Sequence, residues 1–172
     1  MNIDLIIFTG APGTGKTTIS KILHNKLDSL IIDFGKLREF HLDKKWKNAN
    51  PKEEQMAFEN LIFILRNYLK KGYKNIIVND LKDDKALKLV KIFSKNKVIL
   101  ISLVVHNFII RKRVSNPKRD SGFRNVNLAI KYNTRIIQRK LLKNELKIDN
   151  SHDNPKKTTN KILNYLKKLT KN

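Results

Sequence analysis

The chain has 172 residues, of which 40% are hydrophobic, and this length and composition suit one globular domain with a full core. It contains no cysteine, so disulfides and thiolate metal sites are excluded, and no apolar run approaches the roughly 20 residues of a membrane span. We therefore expect a single domain over residues 1–172, without a signal peptide or a membrane partner, in the cytoplasm.

The first predicted elements surround a glycine-rich loop. Ile3 to Thr9 is an apolar run typical of a buried parallel strand, and apolar residues from Ile19 onward recur at helical spacing. Between them, Gly10 to Thr17 reads Gly-Ala-Pro-Gly-Thr-Gly-Lys-Thr, which fits the G-x-x-x-x-G-K-[ST] pattern of a P-loop. Strand, loop and helix are the context that this motif requires, so we predict a site for nucleotide phosphates here.

The residues of this loop have distinct predicted roles. Backbone N–H groups would hold the phosphates, and the glycines leave room for that approach. Lys16 should reach the β- and γ-phosphates, Thr17 should place its hydroxyl on Mg²⁺, and Thr18 could contact the α-phosphate. The predicted cofactors are therefore ATP and Mg²⁺, and the predicted nucleotide-binding residues are Gly10, Ala11, Pro12, Gly13, Thr14, Gly15, Lys16, Thr17 and Thr18.

The second predicted strand, Leu30 to Asp33, ends in an acid. Ligands of open α/β sheets bind beyond the carboxyl ends of the strands, so Asp33 could accept a proton from an acceptor hydroxyl or orient that hydroxyl. Arg38, in a short helix predicted from about residue 36 to 41, could bind an anionic part of the acceptor. For both side chains a purely structural role is the alternative. We predict that the acceptor binds to the segment 34–75.

A longer helix and a third strand complete that segment. Asn50-Pro51 should begin the helix as N-cap and first helical residue, and Lys71-Gly72 should end it. The strand, Asn75 to Asn79, leads to Asp80, which has the position of an aspartate that holds Mg²⁺ directly or through water. A cap or turn is the alternative role for Asp80. Asp83 should cap the next helix.

Arginines cluster after the fourth predicted strand, Val98 to Val105. Arg111, Arg113, Arg119 and Arg124 are half of the chain's eight arginines. Arginine suits the negative charge that phosphoryl transfer spreads over oxygen atoms, and a basic flap would also exclude water. We predict a lid over about residues 115–125, with catalytic roles for Lys16 and Asp33 in the site and for Arg113, Arg119 and Arg124 at the lid.

The last predicted elements are helices over about residues 107–114 and 126–143, a short strand from Leu146 to Asp149, and a final helix from Asn154-Pro155. The whole order is β-α-β-α-α-β-α-β-α-α-β-α. Strands that alternate with helices in this way predict an α/β fold with a parallel sheet covered on both faces.

The charge is large and unevenly distributed. The net charge is +22, of which residues 81–172 carry +18 and residues 1–80 carry +4. A positive half could attract a nucleic acid or an anionic metabolite. The alternative is a solvated lysine surface that reflects A/T-rich codons.

These motifs together resemble those of the P-loop kinases of the adenylate kinase and shikimate kinase type, along essentially the whole chain. The resemblance implies a three-layer fold, a five-stranded parallel sheet in order 2-3-1-4-5, an acceptor region after strand 2 and an arginine lid after strand 4. It also implies that Lys147 to Ser151 borders the adenine. The chain lacks the D-G-[FY]-P-R motif of typical bacterial adenylate kinases and the glycine pair that follows strand 3 in shikimate kinases.

Three functions agree with these observations. The first is a Mg²⁺- and ATP-dependent kinase that phosphorylates a small acceptor such as a nucleoside, a nucleotide or a related metabolite. The second is a polynucleotide 5′-hydroxyl kinase, which the basic half favours. The third is a regulatory P-loop protein that binds ATP and exchanges partners on hydrolysis. The sequence assigns neither the acceptor nor an oligomeric state.

Overall fold

A computed structural model describes residues 2–118 and 121–171, with side chains through Leu169. The strands are β1 (Leu5–Gly10), β2 (Ile31–Asp33), β3 (Ile76–Leu81), β4 (Val98–Val104) and β5 (Glu145–Asp149). The helices are α1 (Lys16–Leu27), α2 (Phe34–Glu39), α3 (Pro51–Lys70), α4 (Asp83–Ile92), α5 (Asn107–Val114), α6 (Val126–Gln138) and α7 (Pro155–Lys171). Elements alternate in the predicted order.

The five strands form one parallel sheet in the order β2-β3-β1-β4-β5, as the resemblance implied. The central strands β1 and β4 are buried at every residue, which explains why their sequences are almost continuously apolar. The register pairs Leu5 with Val98 and Gly10 with Leu103. All five strands therefore end at the same edge, where the loops that follow them meet.

Two apolar cores cover the two faces of the sheet. On one face, α2, α3 and α4 contribute Phe34, Phe58, Leu61 and Leu89. On the other face, α1 and α7 contribute Ile19, Leu23, Ile162 and Leu166. A smaller cluster joins α5 and α6 to Ala11 in the P-loop. The arrangement is the three-layer fold that the alternation of elements predicts, and it holds the P-loop between the layers.

Several predicted helix ends are confirmed and others are wrong. Asn50 caps α3 by accepting a hydrogen bond from the Glu53 N–H, and Pro51 is the first helical residue, as predicted. Asp83, however, does not cap α4: the N-cap is Lys82, and Asp83 lies in the first turn. The short second helix begins at Phe34, earlier than predicted, because the Asp33 side chain caps it.

The prediction that the sixth helix continues to residue 143 is also wrong. This helix ends at Gln138 because Arg139 is extended, with ψ at 148°. The Lys147 ammonium donates to the carbonyls of Ile137 and Arg139, at 3.2 and 2.9 Å, and so occupies the carbonyls at the end of the helix. In the part of the chain that the structure describes, no helix combines the length and the apolar character needed to cross a bilayer.

Candidate nucleotide and acceptor site

The P-loop follows β1 at the centre of the sheet, and its backbone depends on three glycines. Gly10, Gly13 and Gly15 have φ values of 153°, 91° and 96°, which side chains rarely tolerate. A Cβ at Gly10 would lie 2.6 Å from both the Leu103 carbonyl oxygen and Thr14 Oγ1. The loop can therefore pass this close to β4 only because Gly10 carries no side chain.

The lysine of the motif folds back over the loop. Lys16 Nζ donates to the carbonyl oxygens of Gly10 and Ala11 at 2.7 and 3.2 Å. The Thr14 N–H and hydroxyl both donate to the Ala11 carbonyl, at 3.2 and 2.9 Å, and this closes the turn. Pro12 is half-buried, while Thr17 and Thr18 are exposed in the first turn of α1. Of the nine predicted nucleotide-binding residues, Gly10, Ala11 and Thr14 are buried and the others are at least partly exposed.

A buried asparagine, which the sequence analysis did not single out, fastens this loop from outside. Asn150 is 4% exposed and donates from Nδ2 to the Thr14 carbonyl at 2.8 Å. Its Oδ1 accepts from the Thr158 hydroxyl at 2.6 Å, and its own N–H donates to the Val104 carbonyl at 2.8 Å. Asn150 thus links the P-loop to β4 and to α7. The sequence analysis included Asn150 only as a member of the segment expected to border the adenine, Lys147 to Ser151.

Arg113 lies against the same loop. Its guanidinium donates to the Gly13 carbonyl at 3.1 Å and to the Asn150 carbonyl at 3.3 Å. Burial lowers the pKa of Arg113, yet arginine remains protonated in proteins, so this charge persists beside the loop. Arg113, Asn150 and the P-loop border a cavity of about 280 Å³ that also reaches Asp153. Of the segment expected to border the adenine, Lys147 to Ser151, Asn150 lines this cavity.

Two further predicted lid arginines have different outcomes. Arg124 is exposed, and its guanidinium donates to the carbonyls of Ser121 and Phe123 in its own segment. Arg119 lies outside the described residues. Arg113, in contrast, contacts the P-loop through its hydrogen bond to the Gly13 carbonyl.

Two carboxylates converge at the neighbouring strand ends. Asp33 ends β2, and Asp80 lies near the end of β3 with a left-handed φ of 61°. A Cβ placed on Gly35 would lie 2.7 Å from Asp80 Oδ2 and 3.2 Å from Asp33 Oδ1. The Asp33 carboxylate also accepts from the Lys36 N–H at 3.3 Å and from Asn79 Nδ2 at 3.5 Å. Glycine at position 35 leaves the space in which these acids meet.

The chemistry of these oxygens fits a magnesium ion held partly by a nucleotide. In the described residues, no group of three or more histidine, aspartate or glutamate side chains could hold a metal alone. Mg²⁺ is commonly bound by one or two protein oxygens together with substrate phosphates and water. Thr17, in the first turn of α1 after β1, and Asp80, near the end of the adjacent strand β3, provide such oxygens at the same edge of the sheet.

Arg38 is part of a buried ion pair. Its Nη2 donates to Glu53 Oε2 at 2.6 Å, and its Nε donates to Glu53 Oε1 at 3.1 Å and to Oε2 at 3.2 Å. The Arg38 and Glu53 side chains are 12% and 6% exposed, and the Trp46 ring lies 4.9 Å from the Arg38 guanidinium. The hydrogen bonds from Arg38 lower the pKa of Glu53. Sequence reasoning identified Arg38 but missed its carboxylate partner.

Comparison with known proteins identifies a family. A family model described as an AAA domain matches residues 6–130. Among curated proteins, the Holliday junction branch migration complex subunit RuvB of Mycoplasmopsis pulmonis is 27% identical over 168 residues, 95% of this chain and 51% of that protein. A Pyrococcus abyssi protein provisionally named an adenylate kinase is 33% identical over 75 residues, 44% of this chain and 39% of that protein. The chain thus spans about half, or less, of these relatives.

Solved kinase structures share the fold along the whole chain. A sugar kinase from Janibacter sp. HTCC2649 has a TM-score of 0.70 and 16% identity, covering 97% of this chain and 95% of that one. A shikimate kinase from Aquifex aeolicus has a TM-score of 0.62 and 15% identity, covering 96% and 98%. At these identities the likeness establishes the architecture, the P-loop kinase fold.

Proposed function

This chain belongs to the AAA-domain family, and from that premise we propose that it is a Mg²⁺- and ATP-dependent kinase that transfers the γ-phosphoryl group to a small acceptor. The observation that carries the proposal is the convergence at one edge of the sheet. The P-loop follows β1, and the carboxylates of Asp33 and Asp80 lie at the ends of the neighbouring strands. A phosphate donor site and acids for an acceptor therefore lie side by side.

Each side chain has a role in this proposal. The P-loop N–H groups and Lys16 bind the β- and γ-phosphates, Thr18 lies toward the α-phosphate, and Arg113 neutralises charge as it develops. Thr17 and Asp80 hold the metal ion, which when bound neutralises phosphate charge. Asp33 accepts or orients the proton of the acceptor. Arg124, together with Arg119, which lies outside the described residues, would add positive charge for phosphoryl transfer. We propose the cytoplasm as the location of this activity.

The test is the transfer of labelled γ-phosphate from Mg²⁺-ATP to a pool of nucleosides, nucleoside monophosphates and sugars. We expect label in a small molecule and a decrease of at least about 100-fold in Lys16→Ala, because the lysine charge is lost where negative charge accumulates. The matched control is Lys21→Ala, which removes an exposed lysine of the same helix. Equal labelling by both variants, or no labelled molecule, would contradict the proposal. ATP binding without transfer would favour a regulatory ATP-binding protein.

A second candidate, a polynucleotide 5′-hydroxyl kinase, is favoured by the distribution of acids. Helices α1, α5, α6 and α7 contain no aspartate or glutamate, whereas α2, α3 and α4 contain six acids. Codon bias would enrich lysine everywhere, but it would not remove acids from particular helices. The basic helices include both helices of one face of the sheet, α1 and α7, so a polyanion could lie along that face.

Its test is the binding and labelling of a 5′-hydroxyl oligonucleotide at several salt concentrations. Neutralised phosphates release counterions, so we expect the logarithm of the affinity to decrease by about 0.7 per contact for each unit in the logarithm of salt. Labelling of the oligonucleotide with that slope would support this acceptor. Affinity that does not change with salt, or a labelled small molecule alone, would exclude it.

A further inference from the structure

The side chain best suited to bind an acceptor phosphate is already occupied. Two nitrogens of the Arg38 guanidinium donate to the Glu53 carboxylate, and the Trp46 ring lies over it. Both charged groups are nearly buried, so moving Arg38 to an acceptor phosphate would leave the Glu53 carboxylate buried without its counterion. The charge of Arg38 is therefore neutralised where an anionic acceptor would need it.

Two carboxylates lie at the position proposed for the acceptor, whereas the P-loop cation, Lys16, is assigned to the phosphates of the nucleotide. Asp33 and Asp80 approach the same point above Gly35, at the carboxyl edge of β2 and β3. Within the described part of the chain, the donors to the Asp33 carboxylate, the Lys36 N–H and Asn79 Nδ2, are uncharged. A phosphate placed beside Asp33 would therefore meet like charge, whereas a hydroxyl would find a hydrogen-bond acceptor.

The other cations of the acceptor region do not offset the negative charge of these carboxylates. Lys82 and Lys85 are both paired with Glu54, at 3.1 and 3.7 Å. The lysines between α2 and α3 (Lys44, Lys45 and Lys47) have exposed side chains. Exposed lysines bind a solvated anion weakly compared with a buried arginine. The Arg38–Glu53 pair thus removes the one buried positive charge of the acceptor segment.

We propose, on the basis of the kinase function above, that the group phosphorylated is an alcohol hydroxyl and not a phosphate, and that Glu53 sets this preference by holding Arg38. The hydroxyl oxygen forms a bond to the γ-phosphorus as the bond from that phosphorus to the bridging oxygen breaks. The hydroxyl proton passes to the Asp33 carboxylate, and the leaving group departs as a nucleoside diphosphate. The products are a phosphate monoester and ADP.

Matched pairs of acceptors that differ by one phosphate test this proposal. The pairs are nucleosides with their 5′-monophosphates, sugars with their phosphates, and oligonucleotides with a 5′-hydroxyl or a 5′-phosphate. We expect the hydroxyl member of a pair to be labelled at least about tenfold faster, with a monoester as product. A labelled diphosphate would overturn the proposal and leave the kinase function intact. No label in any pair would overturn both.

A variant separates the role of Glu53 from general charge. Glu53→Gln keeps the shape of the side chain and frees the charge of Arg38, so we expect nucleoside monophosphates to bind at least about tenfold more tightly by titration calorimetry. Glu59→Gln, an exposed acid on the same helix, is the matched control and should leave this binding unchanged. Equal binding of nucleoside monophosphates by folded Glu53→Gln and the wild type would overturn the assigned role of Glu53. The acceptor pairs need no variant, so they test the preference for a hydroxyl independently.

Discussion

Gly10 satisfies two requirements at once, one from the fold and one from the phosphate site. Its φ of 153° and its contact with β4 exclude a side chain for steric reasons. Its carbonyl accepts a hydrogen bond from the Lys16 ammonium. A substitution here should therefore damage stability and nucleotide binding together, which a defect confined to the binding surface would not do.

We predict that Gly10→Ala destabilises the protein by about 2–3 kcal/mol, because the new Cβ meets a backbone oxygen in a strained conformation. Urea unfolding monitored by circular dichroism measures this change, and nucleotide binding should weaken in the same variant. Gly122→Ala is the control, since a Cβ there has no neighbour within 4 Å. Equal stability of the two variants would show that the loop relaxes around Gly10.

The residues of the site differ in how far the sequence could predict them. The P-loop was predictable because its pattern is local and every member lies within eight residues of chain. Asn150 was not, since it contacts a residue 136 positions away, and Glu53 was not, since its pairing with Arg38 spans a loop with no motif. A contact that depends on how two distant loops meet leaves no local pattern to read.

At the scale of elements, Arg139 joins four segments of the chain. It donates to Asp83 at the start of α4 at 2.8 Å, to both oxygens of Glu145 in β5 at 2.7 and 2.8 Å, and to the Ser102 hydroxyl in β4 at 3.2 Å. Burial alone would raise the pKa of Glu145, but hydrogen bonds from Arg139, Ser102 and the Leu142 N–H outweigh burial and lower it.

The sign of the pH effect follows from that lowered pKa. Glu145 adds stability above its unfolded pKa of about 4.5, and this contribution decreases as the pH falls through the lower folded value. We predict that Glu145→Gln costs about 3 kcal/mol at pH 7, because Arg139 loses a buried partner. The difference from wild type should narrow below about pH 4.5. Urea unfolding of both proteins at pH 7 and at a pH below the unfolded pKa of Glu145 measures the difference in stability. A difference that is the same at both pH values would contradict the prediction.

The elements themselves were predictable to a large extent. Buried strands such as β1 and β4 are recognisable in the sequence as apolar runs, and Asn50-Pro51 is a strong signal for the start of a helix. The end of α6 was not predictable, because its apolar periodicity continues through residues 141 and 142 while Lys147 and the Arg139 network stop the helix. Tertiary contacts overrode a local preference there.

At the scale of the whole molecule, charge divides along the sheet. The α1–α7 layer has no acid within its helices, and the α2–α3–α4 layer has six. One acid beside the basic layer, Asp153, is already paired, since it accepts from Lys157 and Lys161. Mutual repulsion among the remaining lysines therefore opposes the compact state, which holds them closer together than the unfolded chain does.

Because salt screens that repulsion, we predict that the melting temperature rises between about 10 mM and about 300 mM NaCl. Differential scanning calorimetry measures the change. Potassium chloride should act equally, since screening depends on ionic strength and not on the identity of the ion. A melting temperature that decreases with salt would mean that ion pairs such as Arg38–Glu53 stabilise the protein by more than the repulsion among lysines destabilises it.

The hydrogen bonds by which Asn150 holds the P-loop also have a consequence for protein synthesis. The side chain that fastens the P-loop to α7 is translated 136 residues after Thr14, the residue whose carbonyl it binds. At typical elongation rates this gap lasts on the order of ten to thirty seconds. During that time the growing chain contains the motif without this contact, so nucleotide can stabilise the fully fastened loop only after Asn150 has been translated.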